Sequence, residues 1–189
     1  MAEYLQSIKG ILFVSDLIIH YVLLFGIGWS VALPNKRIWP PPKKCSWQYT
    51  TTWILFYLAF ILNALFIFLD WNSGLFTHHA RFFLGVPIAM IGSLLVSWGI
   101  ITLGTKNTSG LKDRFVTNGP YKFMRNPQYL GDMLLFVGVI LISNSLYLLI
   151  THLLLILVFA ITSLAEEVWL EEMYGDEYKT YKMITTRFL

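Results

Sequence analysis

Residues 129–164 read YLGDMLLFVGVILISNSLYLLITHLLLILVFAITSL, two apolar runs parted by Ser143, Asn144 and Ser145. Small polar residues in such a triplet favour a tight turn, so the stretch reads as a helical hairpin whose two open ends lie on the same side. A helix that crosses the hydrocarbon core needs about 20 mostly apolar residues. Residues 8–33, 53–69, 82–103, 129–142 and 146–164 approach or exceed that length. The whole chain agrees: it is 189 residues long, 56% hydrophobic and only 13% charged, with a mean hydropathy of +0.61, which excludes a soluble domain. The first run is too long for the apolar region of a signal peptide and contains Asp16. The expected fold is all-α and integral to a membrane, with five transmembrane helices and a cytosolic C-terminal helical segment. One membrane domain, 1–189, is expected, its three N-terminal spans (1–103) preceding a core (104–189).

Charge orients the spans. Lys36, Arg37, Lys43 and Lys44 lie between the first and second; Lys106, Lys112, Arg114, Lys122 and Arg125 lie between the third and fourth; Lys179, Lys182 and Arg187 lie in the tail. Only Lys9 and Arg81, of the 14 Lys and Arg, fall on the other side. The positive-inside rule then puts both basic loops and the C-terminus in the cytoplasm and the N-terminus outside. This asymmetry accounts for the net charge of +3 without a nucleic-acid partner. Cys45 is the single cysteine, and the four His are scattered with no carboxylate at ligand spacing, so no disulfide and no metal site are expected.

Within this frame, residues 34–45 (PNKRIWPPPKKC) read as an extended, basic membrane-surface connector, with Trp39 and Trp47 at headgroup level. Contact with a substrate is the alternative. Asp16 and His20 share one face of the first helix, where either a functional pair or a structural hydrogen bond is possible. Pro87 is expected to kink the third span, and Gly85, Gly92 and Gly99 recur at a spacing that lets another helix approach closely.

Polar chemistry gathers at the open end of the hairpin. In residues 119–131 (GPYKFMRNPQYLG), Asn126 and Pro127 fit an N-cap followed by Pro at the first helical position. A helix N-terminus offers unpaired N–H groups and partial positive charge to a carboxylate or phosphate. Lys122 and Arg125 stand beside it, and Tyr121, Phe123 and Tyr129 can wall a flat ligand. An ordinary interfacial anchor is the plainer alternative. At the other open end, residues 165–189 read AEEVWLEEMYGDEYKTYKMITTRFL. Glu166, Glu167, Glu171 and Glu172 are two acidic pairs one turn apart, a like-charge arrangement that requires cations nearby. Glu166, closest to the membrane, is the one expected to be enclosed. Gly175 suits the end of that helix and Asp176 the start of a short final one. An anion dock, an aromatic wall and a carboxylate together suit a zwitterionic nucleoside.

The segment FVTNGPYKFMRNPQYLG (115–131), followed after two helices by EEVWLEEMYGDEYKTY (166–181), resembles the C-terminal core of the isoprenylcysteine carboxyl methyltransferase and phospholipid methyltransferase superfamily. The likeness covers residues 103–185. It implies an integral-membrane enzyme that binds S-adenosylmethionine at the cytoplasmic face and methylates a lipophilic acceptor from the bilayer. Position by position, it implies that Phe115, Val116, Tyr121, Asn126, Pro127, Gln128, Tyr129 and Glu166 contact the cofactor, with Asp113 near a further contacting segment. Arg125 is the implied essential cation. Thr162 stands where the isoprenylcysteine enzymes carry an Arg that holds the substrate carboxylate, and Asn126 stands where they carry His.

Methyl transfer from a sulfonium is an in-line displacement, so the protein mainly aligns the acceptor and excludes water. Positioning can supply about 7 to 11 kcal/mol of such a barrier. A general base is needed only for a protonated amine or a thiol, and Glu167 or Tyr129 is the expected one. A steroid-reductase-like oxidoreductase using NADPH and a non-catalytic membrane scaffold are the rival readings. The acceptor and the oligomeric state are left open.

Overall fold

Why the five apolar runs become helices is visible at their ends. The computed structural model describes residues 2–74 and 78–189. Ser46 starts the second helix by accepting a hydrogen bond from the Tyr49 N–H, and Ser145 starts the last by accepting one from Leu148 N–H. Asn144 takes the left-handed conformation (φ 47°, ψ 42°) that ends the preceding helix, so the 143–145 turn forms as its sequence suggests.

The helices are α1 (Ala2–Ala32), α2 (Trp47–Leu69), α3 (Ala80–Leu103), the short α4 (Thr105–Thr108), α5 (Pro127–Ser143) and α6 (Leu146–Ile184). Single 3-10 turns occur at Pro34–Lys36 and Gly119–Lys122, and no strand is present among the described residues. The helix positions match the expected spans, with longer ends. Four helices, α1, α2, α3 and α6, are long and apolar enough to cross a membrane. The 17 residues of α5 fall short of the about 20 that a membrane crossing needs. The C-terminal helix runs straight on from the last span, interrupted at Gly175 (φ 54°, ψ −127°), whose backbone leaves the helical region where the sequence places a stop.

Packing divides the bundle. Against α5 lies α3, with Gly85, Gly92 and Gly99 buried in the contact. A Cβ on Gly92 would stand 2.7 Å from the carbonyl oxygen of Gly131, and one on Gly138 would stand 2.7 Å from that of Gly85. The glycine stripe on α3 therefore faces a second stripe on α5, and backbone meets backbone. Meanwhile α1 packs on α6 and α2, and α2 reaches α6 through Phe56, whose ring lies 5.8 Å from that of Phe159. Pro87 sits inside α3 without ending it.

Between α1, α2 and α6 lies a buried polar chain. His20 Nδ1 donates to the Asp16 carbonyl at 2.7 Å, Asn63 Nδ2 donates to Asp16 Oδ2 at 3.2 Å, and Thr151 Oγ1 donates to Asn63 Oδ1 at 2.6 Å. Asp16 and His20 thus pair as their spacing suggests and tie three helices together. At the end of the bundle away from the basic loops, Asp70 accepts from Ser73 and Ser145 and pairs with Lys9 at 3.0 Å. Burial would raise the Asp70 carboxyl, but these partners and the Tyr147 N–H outweigh it and hold the group below its ordinary value.

Candidate functional site

The open end of the hairpin is closed by the tail. Arg125 N–H donates to the Thr186 carbonyl at 2.8 Å, and Asn126 N–H donates to the Arg187 carbonyl at 3.1 Å. Tyr181 OH donates to the Tyr121 carbonyl at 2.6 Å. Residues 185–187 run beside 124–126 as a strap that holds the turn into α5. Asn126 occupies the cap position, and its carbonyl accepts the first helical bond from Leu130, but its side chain donates to the Arg187 carbonyl instead of capping. This corrects the expectation of a side-chain cap. The consequence is an α5 N-terminus with Pro at its start and, among the described residues, no side-chain cap hydrogen bond to its N–H groups.

Above that terminus lies a cavity of about 280 Å³, walled by α2, α3, α5, α6, the 34–46 loop and the 105–121 segment. Phe115, Val116, Tyr121, Arg125, Asn126, Gln128, Tyr129, Thr162 and Glu166 all line it. Pro127 and Glu167 are not on its wall, and Asp113 instead pairs with Lys106 at 3.3 Å. Two motifs forty residues apart thus meet over one hollow.

The acidic pairs divide sharply. Glu167 is 4% exposed and its carboxylate takes Arg125 Nη2 at 2.9 Å and Arg187 Nε at 2.8 Å and Nη2 at 2.9 Å. Arg125 Nη1 also donates to the carbonyls of Lys182 and Thr185. Hydrogen bonding to Glu167 raises the Arg187 guanidinium above its ordinary value. Glu171 pairs with Lys182 at 3.2 Å, and Glu172 pairs with Arg37 at 2.6 Å. Glu167, Glu171 and Glu172 thus each have the cation that the like-charge cluster demands.

Glu166 is different. Its Oε1 accepts from Trp39 Nε1 at 2.9 Å and from the Tyr129 hydroxyl at 2.5 Å, and no cation among the described residues pairs with it. Both donors converge on one oxygen, which leaves Oε2 without a partner among the described residues. A carboxylate held by neutral donors at a cavity wall keeps its bonding capacity for a ligand.

Aromatic rings complete the walls. Phe115 lies 4.9 Å from Tyr174, 5.6 Å from Tyr181 and 6.0 Å from Tyr178, a cluster at the mouth suited to a flat ring or a cation. Burial, and then the charge of Glu166, pushes the Tyr121 hydroxyl well above its ordinary value, so it stays a neutral donor.

Other residues join that the sequence did not point to. Trp39 is 3% exposed and forms part of the cavity wall, so the Pro-rich loop is more than a surface connector; of the two tryptophans expected at headgroup level, Trp39 turns inward and Trp47 is exposed. Trp53, Trp169, Arg114 and Asp132 also line the hollow. Of these, Asp132 alone had a signal, because it lies four residues after Gln128 and three after Tyr129 on the same face of α5. The apolar walls come from Trp53, Phe56 and Phe60 on α2 and from Val96, Ile100 and Leu103 on α3.

Comparison with known proteins agrees with this architecture. Residues 80–177, just over half of the chain, match the model of the family described as phospholipid methyltransferase. The matched region begins with α3 and ends just beyond Gly175, so it contains both glycine stripes, the NPQY run and the paired Glu. Comparisons with curated proteins and with solved structures give no match.

Proposed function

The chain belongs to the phospholipid methyltransferase family, and from that premise we propose that it uses S-adenosylmethionine to methylate a lipophilic acceptor that enters from the bilayer. The observation that carries the reading is the single cavity shared by the uncapped α5 N-terminus and the unpaired oxygen of Glu166.

The donor set fits such a cofactor. Glu166 suits ribose hydroxyls, which donate to a carboxylate. The α5 N-terminus, with the guanidinium of Arg114 at the same wall, suits the amino-acid carboxylate. The rings of Phe115, Tyr174 and Tyr178 suit a purine. When bound, S-adenosylmethionine supplies a methyl group already activated on a sulfonium. The chain's own task is then to align the acceptor and keep water out.

Arg125 and Glu167 act on this reading as a brace. Their ion pair fixes the turn into α5 and the tail strap that crosses it, which makes both positioning residues, and it leaves no free oxygen on Glu167 for a base. Thr162 donates to the Val158 carbonyl and offers the acceptor no charge, which favours a phospholipid-type headgroup over a prenylcysteine carboxylate. Apolar side chains of α2 and α3 both line the cavity and suit a lipid chain.

The clustering of Arg37, Arg125, Lys182 and Arg187 around the mouth supports a cytosolic site, with the N-terminus outside and α5 as the fifth span. At 1.5 Å per residue α5 measures about 25 Å, near the lower limit for crossing. The test is calorimetry on the purified protein in lipid nanodiscs, with S-adenosylhomocysteine and NADPH titrated separately. Binding of the first alone supports the proposal. Binding of NADPH alone, or of neither, ends it.

A further inference from the structure

We propose that Asp132 is the catalytic residue on the acceptor side, a carboxylate that attracts a protonated amine and takes its proton before methyl transfer. The inference rests on the function proposed above and names the nucleophile's class.

Three observations carry it. First, Asp132 lines the cavity, yet among the described residues no hydrogen bond or ion pair engages its side chain, whereas Asp16, Asp70, Asp113 and Asp176 are all engaged. An ionisable side chain inside an apolar helix is a functional group by default. Second, it lies deeper than the groups suited to the cofactor. It lies five positions after Pro127, which places it about 7 to 8 Å along the axis, one turn past Gln128 and Tyr129. Val96 of α3 packs on the neighbouring Gly131, and Val96 and Ile100 of α3 with Phe56 and Phe60 of α2 line the apolar part of the cavity, where an acceptor with lipid chains would present its headgroup. Third, charge selects the acceptor. Arg125 is paired with Glu167, and Glu166 is bound only by neutral donors, so two carboxyl groups, Glu166 and Asp132, face the cavity with no ion pair among the described residues. A carboxylate acceptor is repelled there, and an ammonium is attracted.

The step balances. The ammonium gives one proton to an Asp132 oxygen, and the nitrogen lone pair so released forms the new N–CH3 bond. The S–CH3 bond breaks with its electron pair staying on sulfur, which leaves a neutral thioether and a methylated ammonium. Glu167, expected from the sequence as the base, is occupied by two guanidinium groups, and the Tyr129 hydroxyl is committed to Glu166. Among the described carboxyl groups on the wall, Asp132 has both oxygens uncommitted, whereas Glu166 keeps one and is suited to the cofactor.

The experiment uses the full chain in nanodiscs and follows label from methyl-labelled S-adenosylmethionine into an ethanolamine-headgroup phospholipid, a prenylcysteine carboxylate and a lipid thiol. The wild type is expected to label the ethanolamine lipid. Asp132→Asn should lower kcat/KM for it by roughly 10² to 10⁴-fold, the usual contribution of a general base. Its affinity for S-adenosylhomocysteine should stay within about threefold of wild type, because the change lies outside the cofactor's contacts. A choline-headgroup lipid should inhibit the wild type more strongly than the variant, and Asp132→Glu should restore part of the rate. The idea is overturned if Asp132→Asn keeps its rate, if rate and cofactor affinity fall together, or if the wild type labels only the carboxylate or the thiol. Should Asp132→Asn fail to fold, the wild type's choice among the three acceptors decides alone. A wild type that binds S-adenosylhomocysteine but methylates only the carboxylate ends this inference and spares the methyltransferase. One that binds no S-adenosylhomocysteine ends both.

Discussion

Replacing Glu166 by Gln tests the heart of the site while preserving its shape. In the native protein Trp39 Nε1 and the Tyr129 hydroxyl both donate to Oε1 at 2.9 and 2.5 Å, and Oε2 is left over. A glutamine can keep both bonds through its own oxygen, so the two buried donors stay satisfied and the fold should be little disturbed. What changes is the atom turned to the ligand, from a charged acceptor to an NH2 donor. A hydrogen bond to a charged group is worth about 1.5 to 3 kcal/mol. Each 1.4 kcal/mol is tenfold in affinity, so S-adenosylhomocysteine should bind about 10- to 150-fold more weakly. Glu166→Ala makes the contrast, because it also strands the Trp39 and Tyr129 donors at a cost of about 1 to 3 kcal/mol each. Calorimetry on both variants, with thermal unfolding in the same detergent, separates ligand loss from fold loss. If Glu166→Gln binds S-adenosylhomocysteine as tightly as wild type, the cofactor does not use this carboxylate and the placement of the site is wrong.

Glu167→Gln should behave in the opposite way: it breaks a buried pair with Arg125 (side chains 5% and 9% exposed), which typically costs about 3 to 5 kcal/mol, so thermal stability falls first and ligand affinity only through the loosened α5 turn. Gly92→Ala places a Cβ 2.5 Å from the Leu135 nitrogen, and overpacking of this kind costs about 1 to 3 kcal/mol, measured as a lower unfolding temperature; unchanged stability would mean that α3 and α5 do not meet there. For Asp70, whose folded-state pKa lies below the ordinary 3.8, the stabilisation is complete above that value and is lost as pH falls through the lower folded value. An unfolding scan from pH 5 down to about pH 2 should show this loss in the wild type and not in Asp70→Asn. Cys45, the single cysteine and exposed, should react with a membrane-impermeant maleimide in inverted vesicles and not in intact cells; the reverse pattern would invert the proposed topology.

Much of the molecule was legible in one dimension because the signals are local. Apolar length marked the helices, Ser143–Ser145 marked the turn between the last two, and Gly85, Gly92 and Gly99 announced a close helix contact. The NPQY run and the paired Glu were legible as polar chemistry at one end of a hairpin, since two antiparallel helices joined by a short turn must bring their far ends together. Even the demand for cations around the four Glu followed from charge and spacing alone.

Only the tertiary structure decided how those charges were shared. Nothing in the order of residues says that Arg187 at the tail and Arg125 before α5 both reach Glu167, or that Trp39 from a Pro-rich loop reaches Glu166 across more than a hundred residues. Neighbouring Glu side chains on a helix point about 100° apart, so one faces the strap and the other faces the cavity. Their chemistry diverges for that reason: the first is consumed by structure, and the second is left with an oxygen to spare. The same holds for Asp132, one carboxylate within an apolar run, whose meaning depends on which face of α5 the glycine stripe turns toward α3 and which face it leaves toward the hollow.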